Sequence, residues 1–145
     1  MTARNGSAEW KGDVKNGSGT ITVGNGLFTG PFSYDSRFGE QSGTNPEQLI
    51  AAAQAGCFTM ALASILATAG HAPERLRTNA RVQLRMVDGK PTLTRLDIET
   101  EGHVSGVNDQ QFKSYAEEAR AGCPVARALA GIPEIVVTAT LAAAG

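Results

Sequence analysis

At 145 residues the chain has the length of one compact domain; 41% of it is hydrophobic, 19% charged, and the formal net charge is -1. That balance excludes a polybasic nucleic-acid binder and gives no electrostatic pull toward an anionic membrane. The opening Met1-Thr2-Ala3-Arg4-Asn5-Gly6 lacks the apolar core of a secretory signal, so the expectation is a cytoplasmic protein.

Residues 8–14 alternate weakly and read as a strand. Asn16-Gly17-Ser18-Gly19 is a turn signal, and Thr20-Ile21-Thr22-Val23 is a β-branched second strand. Gly24-Asn25-Gly26 turns the chain into Leu27-Phe28-Thr29, with Pro31 to Tyr34 as an extension or edge, which makes an antiparallel meander. Residues 36–43 read as a glycine-punctuated loop.

Thr44-Asn45-Pro46-Glu47 predicts a helix start, with Asn45 or Thr44 as cap, Pro46 at the first position and Glu47 in the first turn. The apolar segment Leu49 to Ala69 is long enough to tempt a membrane reading. It is mostly alanine, carries Gln54, Thr59, Ser64 and Thr68, and is closed off by Pro46 and Gly70, so a buried helix with neighbours close on most sides is expected. Two strands over 76–87 and 92–104 follow, joined through Asp88-Gly89, a strong hairpin signal. Asn108 to Ala121 reads as an amphipathic helix with Phe112, Tyr115, Ala116 and Ala119 on one face. Gly122 breaks it, a short helix begins at Cys123-Pro124, and Glu134 to Leu141 is the last strand. The order βββ-α-ββ-αα-β predicts a single α+β domain over residues 1–145 with mainly antiparallel pairing.

Two cysteines in a reducing compartment argue against a structural disulfide framework. The plain reading of Cys57, inside the long helix, is packing as a small hydrophobe. Cys123 stands before Pro124 at a helix start, where free N–H groups favour a thiolate and make it a good leaving group. Arg37 in its loop and Glu47 at its helix start each have an ordinary surface role, unless the loop folds back over the helix. A zinc set of Cys57, His71, His103 and Cys123 lacks the usual ligand spacing, and there is no phosphate-binding loop.

Taken together, several segments resemble the OsmC/Ohr hydroperoxide reductases, in particular their osmotically inducible branch. They are Ala8-Glu9-Trp10-Lys11-Gly12-Asp13, Arg37-Phe38-Gly39, Gly43-Thr44-Asn45-Pro46-Glu47-Gln48-Leu49-Ile50, Cys57-Phe58-Thr59-Met60 and Ala121-Gly122-Cys123-Pro124-Val125. The resemblance spans nearly the whole chain in the right order. It implies an OsmC-like fold, with antiparallel sheets packed on a long buried central helix in an intertwined homodimer whose subunits share two active sites. It also implies that Cys57 is the peroxidatic cysteine, Cys123 the resolving cysteine, Arg37 the arginine that contacts thiolate and peroxide, and Glu47 the carboxylate holding that arginine. The activity expected is reduction of organic hydroperoxides, and more weakly of hydrogen peroxide, in oxidative or osmotic stress. No cofactor or metal is expected, only an external dithiol reductant, of the lipoyl type in the related Ohr branch. Two other readings stand beside it. One is a binding protein of the same fold with redox-sensitive cysteines; the other is a cysteine acyl transferase or hydrolase drawing on His71 or His103.

Overall fold

The structure, a computed structural model, describes residues 3–143. Met1 and Thr2, part of the stretch read for a leader, and the last two residues of the chain lie outside it. The chain divides into two compact units between Leu49 and Ile50.

The N-terminal unit carries the expected meander: β1 (Gly6–Lys11), β2 (Ser18–Val23) and β3 (Phe28–Phe32), antiparallel in the order β1-β2-β3. β1 ends earlier than the alternation implied. Gly12 takes a positive φ of 92°, and Asp13 Oδ1 accepts the N–H groups of Lys15 and Asn16, so the turn starts there. Across the sheet Gly19 lies opposite both Trp10 and Phe32. The two rings meet edge to face at 5.1 Å, and a Cβ on Gly19 would come within 2.8 Å of each.

β3 stops at Phe32, and Tyr34 from the expected strand extension joins residues 36–38 from the expected loop in a short helix, α1 (Tyr34–Phe38). Its cause is a capping box: Ser33 Oγ accepts the Ser36 N–H while Ser36 Oγ accepts the Ser33 N–H. The long helix α2 (Pro46–Thr68) then starts as expected, with Asn45 Oδ1 accepting the Gln48 N–H at 2.8 Å.

In the second unit β4 (Arg75–Val87) and β5 (Lys90–His103) form the hairpin, with positive φ at both Asp88 and Gly89 as a tight two-residue turn requires. The helices α3 (Asp109–Gly122) and α4 (Pro124–Ala128) carry the chain back, so that β6 (Glu134–Leu141) joins β5 in parallel, the exception to the otherwise antiparallel pairing. The core is built from Phe58, Leu62 and Leu66 of α2, Leu96 and Ile98 of β5, and Phe112, Ala116 and Ala119 of α3, closed by Ile132 and Ala139. Each large side chain buried there contributes about 1.5–3 kcal/mol.

The burial expected on most sides of α2 is found along one face only in the single chain. Gln54, Phe58, Leu62 and Leu66, each one turn from the next, are buried, while Ala53, Gly56, Met60, Ser64 and Ala67 are exposed. The helix is long and apolar enough to cross a membrane by length and composition, and 22% of its most apolar window is buried.

Candidate active site

The four residues singled out in the sequence form two pairs, each assembled within its own unit. The first is Arg37 with Glu47. Ser36, next to the arginine, donates through Oγ to Thr44 O at 2.9 Å, and Asn45 Nδ2 donates to Ser36 O at 2.9 Å. Thr44 N–H and Oγ1–H are in turn fixed on Pro31 O. These bonds fold the glycine-rich segment back on α1 and so bring position 37 beside position 47. Arg37 Nε donates to Glu47 Oε1 at 3.1 Å and Nη2 donates to the same oxygen at 2.8 Å. Glu47 is almost buried and Arg37 half-exposed, with its guanidinium carbon 5.2 Å from the centre of the Phe38 ring. Because Glu47 engages one edge of the guanidinium, the Nη1 edge is left for a further acceptor.

Beside this pair the N-terminal unit has a mostly apolar hollow of about 280 Å³, lined by Trp10, Val14, Phe32, Ser33, Tyr34, Arg37 and Phe38. It puts a fixed cation at the edge of an aromatic surface.

The second pair is Cys57 with Cys123. Both are free thiols, and their sulfurs approach to 2.7 Å although 66 residues separate them. Cys57 is half-buried on α2; Cys123, at the junction of α3 and α4, is fully buried. Closing to a disulfide at ~2.05 Å takes a shift of about 0.7 Å, within reach of a rotamer adjustment. Burial pushes the Cys57 thiol above its ordinary value, the adjacent Cys123 sulfur adds to the rise, and a bond from the Val125 N–H works against it.

A third residue joins this pair that the sequence reading passed over. Gln54, fully buried, donates through Nε2 to Cys123 Sγ at 3.6 Å. The available signal was an uncharged polar side chain in an alanine run, one turn before Cys57. The zinc set does not assemble. Among the described residues no three His, Cys, Asp or Glu side chains cluster, His103 faces Glu101 at 3.9 Å, and His71 lies against Gly106.

The family model described as OsmC-like protein matches residues 39–138. Peroxiredoxin OsmC of Escherichia coli K12 is 39% identical over 127 residues, which cover 87% of this chain and 89% of that protein, and the Shigella flexneri protein of the same name matches equally. Among solved structures, an organic hydroperoxide resistance protein of Elizabethkingia anophelis with thiocyanate bound superposes with a TM-score of 0.73 at 24% identity, covering 97% of both chains. The organic hydroperoxide resistance protein OsmC of Legionella pneumophila gives 0.72 at 21% identity, covering 98% of this chain and 99% of its own. These structures share the α+β fold, and the sequence matches carry the kinship further: the chain belongs to the OsmC-like protein family.

Proposed function

We infer that the chain is a cysteine-based peroxidase, and propose that it reduces organic hydroperoxides to alcohols through a Cys57 sulfenate and a Cys57–Cys123 disulfide. The observation that carries this reading is the approach of a half-exposed thiol to a buried one at 2.7 Å. In the first step the Cys57 thiolate attacks the peroxide O–O bond, which breaks; sulfur takes one oxygen and the alcohol leaves with the proton. In the second the Cys123 sulfur displaces that oxygen as water and the S–S bond forms. An external dithiol, of the lipoyl type in our proposal, returns both cysteines to thiols, and the cycle calls on no metal or other cofactor.

Arg37, steadied by Glu47, is assigned to the peroxide: its free edge fits the oxygen that departs with negative charge. The aromatic hollow beside Arg37 favours an organic tail and so a weaker response to hydrogen peroxide. The names of the E. coli and E. anophelis relatives, a peroxiredoxin and an organic hydroperoxide resistance protein, support the same substrate class and a part in stress defence. A homodimer with shared active sites is proposed on the exposed face of α2, where Ala53, Gly56, Met60, Ser64 and Ala67 form a closely approachable surface. Residues 1–145 then act as one OsmC-like domain in the cytoplasm.

Intact mass before and after one equivalent of an organic hydroperoxide tests the cycle. The reduced protein should lose about 2 Da on disulfide formation. Cys57→Ser should show no change, and Cys123→Ser a gain of about 16 Da as the sulfenate persists. A gain in the parent chain would remove Cys123 from the resolving role; no change at all would leave a binding protein with redox-sensitive cysteines.

A further inference from the structure

We propose that Gln54 is a positioning residue for the thiol pair: its amide N–H holds Cys123 Sγ and favours that sulfur as a thiolate, so that reduction of the disulfide proceeds by attack on Cys57 with Cys123 leaving. The proposal rests on the disulfide cycle above and adds its regiochemistry.

Gln54 is fully buried, flanked by Ala51, Ala52, Ala53, Ala55 and Gly56. Its Nε2 reaches Cys123 Sγ at 3.6 Å, while its Oε1 is buried with no hydrogen-bond partner among the described residues. An amide buried for stability alone would have both ends satisfied, and an orphaned acceptor works against the fold. The contact that remains is with a sulfur, a weak acceptor as a thiol and a much stronger one as a thiolate. Gln54 therefore does least for the resting thiol and most for the ionised Cys123.

Exposure points the same way. Cys57 is half-buried and Cys123 fully buried, so an incoming thiolate reaches only Cys57. The reductant's sulfur bonds to Cys57 Sγ, the S–S bond breaks, and its electron pair stays on Cys123 Sγ beneath the Gln54 N–H. The second thiol of the reductant then displaces Cys57 and closes its own disulfide, and the two protons of the dithiol end on the two cysteines. The sulfur whose thiolate is better stabilised leaves faster, which in this proposal is Cys123 beneath the Gln54 N–H.

The test titrates the lone remaining thiol of a Cys57→Ser chain by its thiolate absorbance, with and without Gln54→Met, which keeps the side-chain length and removes both polar atoms. Gln54→Met should raise the Cys123 midpoint by about one pH unit, a tenfold loss of thiolate at neutral pH. Its thermal midpoint should stay level or rise, because the orphaned oxygen is gone. An unmoved titration midpoint, or a fall in thermal midpoint without a titration shift, would overturn the assignment. Gln54→Glu, nearly isosteric, guards against misfolding and should raise the midpoint further by like-charge repulsion. In the otherwise unchanged chain, Gln54→Met should slow reduction of the preformed disulfide by a small dithiol about tenfold; equal slowing of the peroxide step would count against the proposal. The titration requires no disulfide, so a chain that fails to form one sinks the cycle and leaves the Gln54 result readable.

Discussion

A free cysteine is only about 3% thiolate at pH 7, and the burial of Cys57 moves it below that. A thiol with a raised pKa favours its neutral form, so its reactivity climbs with pH through that raised value. In the proposed cycle, any lowering of that pKa by Arg37 would raise the thiolate fraction. The accompanying loss of nucleophilicity would cancel much of that gain, because the Brønsted slope is about 0.4–0.5. The larger effect of the arginine in the proposed cycle falls on the departing oxygen, where one fixed donor contributes about 3–4 kcal/mol. Arg37→Ala should therefore cut peroxide turnover about 100- to 1,000-fold while changing alkylation of Cys57 by iodoacetamide only about threefold. Parallel losses in the two rates would place the arginine on the sulfur alone.

At the scale of the elements, β5 and β6 are pinned on their outer side by Arg95, whose Nε donates to Asp97 Oδ2 at 2.9 Å and whose Nη1 donates to Glu134 Oε1. The Arg95 guanidinium, mainly through these hydrogen bonds, holds the Asp97 carboxyl below its ordinary value. A depressed carboxylate stabilises the fold at neutral pH, and that contribution fades as pH falls through the lowered value. Asp97→Asn should lower the thermal midpoint at pH 7 by the equivalent of less than about 1 kcal/mol, and the gap to the parent should close in acid. A gap independent of pH would mean that packing, not charge, was lost. Local chemistry made much of this layer readable: Asp88-Gly89 set the hairpin, Asn45-Pro46 the start of α2, and the β-branched run from Glu134 the last strand. What stayed hidden depended on distance or on weak signals. The parallel partner of β6 lies beyond two helices, and the capping box of α1 uses Ser36 where a glutamate or glutamine is the usual mark. Nothing in the spacing of Arg37 and Glu47 foretold the clamp of Ser36, Thr44 and Asn45 that joins them, and Gln54 was lost among alanines, which pack equally well exposed or buried.

For the whole molecule, the open face of α2 is where the proposed dimer would form. Met60 is 78% exposed in the middle of the helix, among residues small enough for a second backbone to come close. If the proposed dimer forms on this face, Met60→Glu should shift it to monomer in light scattering, raising the dissociation constant at least about tenfold through loss of a methionine's burial. A monomer in both forms would leave the face open in solution. The long separation between the two cysteines has a different consequence. Joining Cys57 to Cys123 closes a loop of 66 residues, which in the chain-entropy view stabilises the fold by about 4 kcal/mol. By reciprocity the fold stabilises the bridge as much as the bridge stabilises the fold, which lowers the reduction potential by about 90 mV relative to the unfolded chain. In the proposed cycle, the topology that brings Cys123 to Cys57 would thus also call for a strongly reducing donor, and a dithiol that closes its own ring as it leaves would match it.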